Sequence, residues 1–215
     1  MSMDSALQNE AISLLGEQSG SVVMMDVNSG EVLTIASAPT FNPNQFTVGL
    51  SQREWDGLLD DQRKPLINKA IAGQYAPGST VKMLIAIAGL EEKVITPEEK
   101  IVCEGQYELG GDTFHCWEHE GHGPMNMHDA ITNSCDVYFY ELARRLGIDP
   151  IERVAKKFGL GRPSIPGAYG ENKGLIPGRD WKRANLDAAW QTGETIIAGI
   201  GQGYMLVTPI QLAVM

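Results

Sequence analysis

GQYAPGSTVKMLIAIAGL, residues 73–90, sets a turn directly before a helix. Pro77-Gly78 makes the turn. From Met83 to Ala88 every residue is apolar, and a helix that is apolar all round is a buried one. Ser79 and Lys82 stand three residues apart at its start, a spacing that puts both on one face. A serine hydroxyl is a poor nucleophile until a base takes its proton. A lysine partly withdrawn from water holds its proton less tightly and can be that base. The free N–H groups of a helix start favour negative charge developing beside them. The plainer reading is a helix-capping serine and a lysine whose stem lies along apolar surface. The turn before the pair and the apolar helix behind it bring the catalytic reading level with the plainer one.

Outward from this stretch, the 215 residues suffice for a buried core in one domain or at most two. Hydrophobic residues make up 43% and charged residues 20%, the balance of an ordinary globular protein. A net charge of −10 argues against nucleic acid as a partner. No run of 18 apolar residues offers a membrane span, and the N-terminus reads as an amphipathic segment, not a secretory leader. The three cysteines are an odd number, so they cannot all lie in internal disulfides.

Periodicity predicts a helix over 5–16 and a hairpin of strands 21–27 and 32–37 around Asn28-Ser29-Gly30. An extended polar loop is expected over 39–46 and a weak helix over 51–61. Residues 101–127, rich in Gly, His, Cys and aromatics, show neither helical nor strand periodicity and need something else to order them. Helices follow from Asn126 or Met127 towards Ser134, over 136–147, and from an Asp149-Pro150 start to about Phe158-Gly159. A proline- and glycine-rich loop spans 162–180, a helix is expected over 181–190, and GIGQG makes a tight turn at 199–203. Thr208-Pro209 caps a last helix, but the six residues after Pro209 look too few to hold one.

Ser134-Cys135-Asp136 is a second serine motif, set between two helices. With GQYAPGSTVK before it and GIGQGYMLVTPIQLA after it, the chain resembles the penicillin-binding transpeptidases. FNPNQF, TPEEKI, GHGPMNMHDAI and LIPGRDWK extend the likeness to the class B, elongation-specific penicillin-binding protein 2 type, over essentially all 215 residues. The resemblance implies an α/β (α+β) fold of the penicillin-binding transpeptidase and serine β-lactamase kind. Here it would be mainly the helical lobe plus the first hairpin of the antiparallel sheet. It implies a peptidoglycan D,D-transpeptidase in which Ser79 attacks a stem peptide, Lys82 takes its proton, Ser134 relays protons, and a β-lactam acylates Ser79. Asp136 stands where many relatives have Asn; it can accept a hydrogen bond from Lys82 but offers no amide donor to substrate. The family's third motif, Lys-Thr-Gly, is absent: Gln191-Thr192-Gly193 lacks the lysine and precedes GIGQG. Residues 1–215 are therefore expected to form a partial transpeptidase domain, impaired on its own, without the third motif and last sheet strands. Catalysis would need no cofactor. The partners implied are stem peptides, β-lactams and, for a full-length protein, an elongation glycosyltransferase and cell-shape proteins. The location implied is the periplasm, on a protein anchored in the inner membrane. The alternatives are a β-lactam sensor or morphogenesis scaffold without catalysis, and a serine β-lactamase.

The cysteines have their own pattern, Cys103, Cys116 and Cys135 with His122 between the last two. Three thiolates and an imidazole make a complete tetrahedral set for structural zinc. His115, His119 and His128 are possible substitutes; His122 is preferred because it lies in the GHG stretch common to the family type. The plainer readings are three unrelated buried thiols, or one disulfide and a free thiol.

Overall fold

The computed structural model describes residues 2–165 and 167–215. Met1, and Pro166 inside the loop expected over 162–180, lie outside the described residues. The elements in chain order begin with α1 (Ser5–Leu15), β1 (Gly20–Met25), β2 (Val32–Ala38), α2 (Asn44–Val48), α3 (Gln52–Asp60) and α4 (Lys69–Ala72). A 3-10 turn, Gly78–Val81, leads into α5 (Lys82–Glu91). Then come β3 (Ile101–Cys103), β4 (Gln106–Leu109), β5 (Asp112–His115), β6 (Gly123–Met125), α6 (Met127–Thr132) and α7 (Asp136–Leu146). The last are α8 (Ile148–Lys157), α9 (Arg179–Leu186), α10 (Thr192–Ala198) and α11 (Pro209–Val214). No helix among the described residues is long and apolar enough to cross a membrane.

The chain divides into two compact units, the first made of Met1–Gln74, Arg162–Lys173 and Val207–Met215. Its centre is the expected hairpin: β1 and β2 pair antiparallel, with Val23 opposite Ile35 and a bulge between Met24 and Met25. Asp26 fixes the turn, its Oδ1 accepting the N–H groups of Asn28 at 2.9 Å and Ser29 at 2.7 Å. Helix α1 packs on β2, while α4 and α11 pack on β1. Two expectations change here. Part of the loop over 39–46 is helical, because α2 begins at Asn44. The last helix also forms despite its length. Thr208 caps it, and the fully buried Gln211 donates from Nε2 to the carbonyls of Arg162 and Lys173, both at 2.8 Å. Tertiary bonds supply what six residues cannot.

The second unit is Tyr75–Gly161 with Gly174–Leu206. Helix α5 packs against α7 and α8, and α7 also holds α10. The core is built from Leu84, Ile85, Ala88, Phe139, Leu142, Ile148, Ile151 and Ile196. The helix expected to be buried all round is buried on most faces, but Met83 and Leu90 are exposed. Residues 101–127 are two short antiparallel pairs, β3 with β6 and β4 with β5. Strands of three or four residues are too short to show an alternating pattern. Tyr107 of β4 donates to Glu141 of α7 at 2.7 Å. Burial opposes ionisation of Glu141, but hydrogen bonds from Arg144, Arg145 and Tyr107 hold its carboxyl down to about 2.

Helix α8 starts at Ile148, before the Asp149-Pro150 start expected, so proline sits in its first turn without breaking a bond. Helix α9 ends at Leu186, four residues short of the expected Trp190, with Asp187 in the left-handed conformation. Helix α10 was not expected. Glu194 accepts the Gln191 N–H at 2.8 Å and also pairs with the buried Lys182 of α9 at 2.6 Å. Thr192-Gly193 thus lies in a helix, not on a strand.

Candidate active site and cysteine cluster

Ser79, Lys82, Ser134 and Asp136 converge within the second unit. Ser79 lies in the 3-10 turn and Lys82 opens α5. Between Ser79 and Lys82 the hydrogen bond among the described residues runs through the backbone, from the Lys82 N–H to the Ser79 carbonyl; their side chains do not bond directly. Ser134 stands between them, its Oγ 2.8 Å from Ser79 Oγ and 3.1 Å from Lys82 Nζ. Lys82 Nζ also donates to the Ser134 carbonyl at 2.8 Å and to Asp136 Oδ1 at 2.7 Å. Lys82 is only 2% exposed, so these three acceptors, and not water, surround its amine. The Phe139 ring lies 5.5 Å from Nζ and adds a cation–π contact.

Ser134 adopts φ +51°, a left-handed conformation uncommon for a residue with a side chain. That conformation turns both its carbonyl and its hydroxyl towards Lys82. Strain of this kind persists where surrounding bonds fix it, and it clusters at functional sites.

Sequence reasoning missed Trp117. Its backbone N–H donates to Asp136 Oδ2 at 3.1 Å, and its indole N–H reaches the carbonyls of Asn133 and Ser134, both at 3.1 Å. The only signal available was its place directly after Cys116.

The turn holding Ser79 is fixed from the far end of the unit. The Gly78 N–H donates to the Gly201 carbonyl at 2.9 Å. Gly201 has φ +70°, and a Cβ there would lie 2.2 Å from the Gly78 carbonyl oxygen. Gly201→Ala is expected to destabilise the protein by more than about 1 kcal/mol, lowering the melting temperature by at least about 2–4 °C. It should also slow any reaction at Ser79. Thermal denaturation beside a labelling time course checks both, and a variant matching the parent in each would remove the role given to this turn.

Cys103, Cys116, His122 and Cys135 form a second cluster, with donor atoms all within 4.8 Å of one another. Cys103 ends β3 and pairs with Gly123 of β6, which brings the neighbouring His122 alongside it. Gly121 makes this approach feasible: at φ +81°, a Cβ would sit 2.3 Å from the Cys103 carbonyl oxygen. Cys116 follows β5 and donates its N–H to the Gly105 carbonyl at 2.8 Å. Cys135 precedes α7 as its N-cap residue. All three cysteines are free and buried, so no disulfide joins them. His122 Nδ1 lies 3.6 Å from Sγ of both Cys103 and Cys116. Its Nε2 is buried with no hydrogen-bond partner among the described residues. The imidazole meets Trp117 edge-on at 5.2 Å instead. Burial, then the neighbouring thiol of Cys103, pushes the Cys135 thiol well above the ordinary range. His115, His119 and His128 are exposed and stand outside the cluster.

The four donors could hold a metal ion. Zinc–sulfur bonds of about 2.3 Å in a tetrahedron place donors roughly 3.8 Å apart, against separations of up to 4.8 Å here. Soft thiolates with one imidazole select zinc over calcium or magnesium.

A family model described as the penicillin binding protein transpeptidase domain matches residues 20–215. The peptidoglycan D,D-transpeptidase MrdA of Acinetobacter baumannii is 40% identical over 215 residues, covering 99% of this chain and 32% of that protein. The chain thus spans about a third of the length of the curated relatives it matches. The crystal structure of Pseudomonas aeruginosa PBP2 in complex with WCK 5153 is 40% identical, with a TM-score of 0.93 over 99% of this chain and 49% of that one. Helicobacter pylori PBP2, in its complex with MreC, is 36% identical with a TM-score of 0.92, covering 98% of this chain and 40% of that one. With its helices and short antiparallel sheets matching at this level, the chain belongs to the penicillin-binding protein transpeptidase domain family.

Proposed function

We propose that this chain carries the nucleophile and proton relay of a peptidoglycan D,D-transpeptidase that cross-links stem peptides during cell elongation. The observation that carries this reading is the unbroken line of contacts from Ser79 through Ser134 to Lys82 and Asp136. Ser79 Oγ attacks the carbonyl carbon of the penultimate D-Ala, and its proton passes through Ser134 Oγ to Lys82 Nζ. The Asp136 carboxylate holds the ammonium so formed. The C–N bond breaks, the relay returns the proton to the departing D-Ala amine, and an acyl-serine remains. An amine from a second stem peptide takes the acyl group and closes the cross-link. A β-lactam acylates Ser79 by the same first step.

The 215 residues contain no Lys-Thr-Gly. By the family resemblance, that motif's strand supplies half the oxyanion hole, and losing one donor there costs about 10²–10³ in rate. Fluorescent penicillin should therefore label these 215 residues about 10²–10³ times more slowly than a longer chain that runs on through such a motif. Equal acylation rates would overturn this assignment. Rapid loss of the label would instead favour a serine β-lactamase, and its absence from both chains a scaffold.

We further infer that Cys103, Cys116, His122 and Cys135 hold one structural zinc ion, closed to water and outside the acyl transfer. Their convergence and the match of donor type support this. Partners and place follow the family: an elongation glycosyltransferase, cell-shape proteins as in the Helicobacter pylori complex with MreC, and the periplasmic face of the inner membrane.

A further inference from the structure

We propose that Trp117 is a positioning residue of this site, holding Ser134 and Asp136 in register with Lys82 through its two N–H groups. The proposal rests on the reading of Ser79, Ser134 and Lys82 given above. Trp117 is 59% exposed, yet both of its donors are engaged. The backbone N–H takes the Asp136 oxygen that Lys82 leaves free. The indole N–H shares the Ser134 carbonyl with Lys82 Nζ, at 3.1 and 2.8 Å. A carbonyl clamped from two sides fixes the left-handed backbone of Ser134, and with it the Oγ that bridges Ser79 and Lys82. Trp117 is itself tethered at both ends. Cys116 precedes it in the chain, and its ring meets His122 edge-on. The cysteine cluster thus reaches the relay through one side chain.

The test measures saturable acylation by a fluorescent penicillin in a chain long enough to react, separating the binding constant from the acylation rate constant. Trp117→Phe keeps the ring and the backbone N–H but removes the indole donor. Benzothienylalanine at position 117 replaces only that N–H by sulfur and decides the matter if the Phe variant does not fold. Both should lower the acylation rate constant about three- to tenfold, with the binding constant unchanged. An unchanged rate constant, or a change confined to the binding constant, would show a cleft wall and not a positioning group. Ser79→Ala is the control. Labelling of that variant would refute the proposed nucleophile, whatever Trp117 does.

Discussion

Ser79→Ala should abolish covalent labelling by a fluorescent penicillin, because the side chain that forms the acyl bond is gone. Lys82→Ala should come next in severity. It removes the proton acceptor, whose contribution is typically about 10²–10⁴ in rate, and leaves Asp136 facing an empty site. Ser134→Ala should slow labelling without abolishing it. Its oxygen is the bridge between the Ser79 hydroxyl and the Lys82 amine, and no side-chain hydrogen bond joins those two groups without it. The order of the three separates a relay from a direct serine–lysine pair, which would leave Ser134→Ala close to the parent. Labelling of Ser79→Ala at the parent rate would remove the nucleophile assignment.

Removal of the proposed zinc should have the second large effect. A structural zinc site contributes its binding free energy to folding. Purified, untagged protein should carry about one zinc per chain, with thiols that react only after denaturation and chelation. At about 2–4 °C per kcal/mol for a chain of this size, losing several kcal/mol should lower the melting temperature by about 10 °C or more on chelation. Cys103→Ser or Cys135→Ser should do the same. Cys135 lies between Ser134 and Asp136, so penicillin labelling should slow in step. Metal-free protein with a Cys103–Cys116 disulfide in its peptide map would end this reading.

The legible parts of the sequence were those whose signal is local. The hairpin over 20–38 shows in its β-rich strands and turn residues, and α5 in its apolar run after Pro77-Gly78. Helical spacing put Ser79 and Lys82 on one face but did not show that Ser134 stands between their side chains. What stayed hidden depends on distant groups. The shortness of β3 to β6 leaves no pattern, and their order comes from turns and from side chains converging across the segment. Helix α10 leans on a lysine ten residues before it, and α11 on two carbonyls far back in the chain. Ser134 was marked as a relay by the family resemblance, but its left-handed backbone torsion, and the Trp117 N–H groups that meet it, are announced by no residue type.

The first unit is assembled from three stretches, with 87 residues of sequence between Gln74 and Arg162. This has a consequence for the order of events on the ribosome. The hairpin of β1 and β2 is made before α11, which packs on β1 and lies about 170 residues later in the sequence. A two-stranded hairpin is marginal in water by itself. The nascent chain therefore carries β1 without its α11 cover, and the unit closes only once residues 207–214 have emerged. Contacts of such long sequence separation also make folding slow, since each must first close a long loop. The window in which β1 could pair with another copy of itself is set by elongation speed, not by the stability of the finished fold.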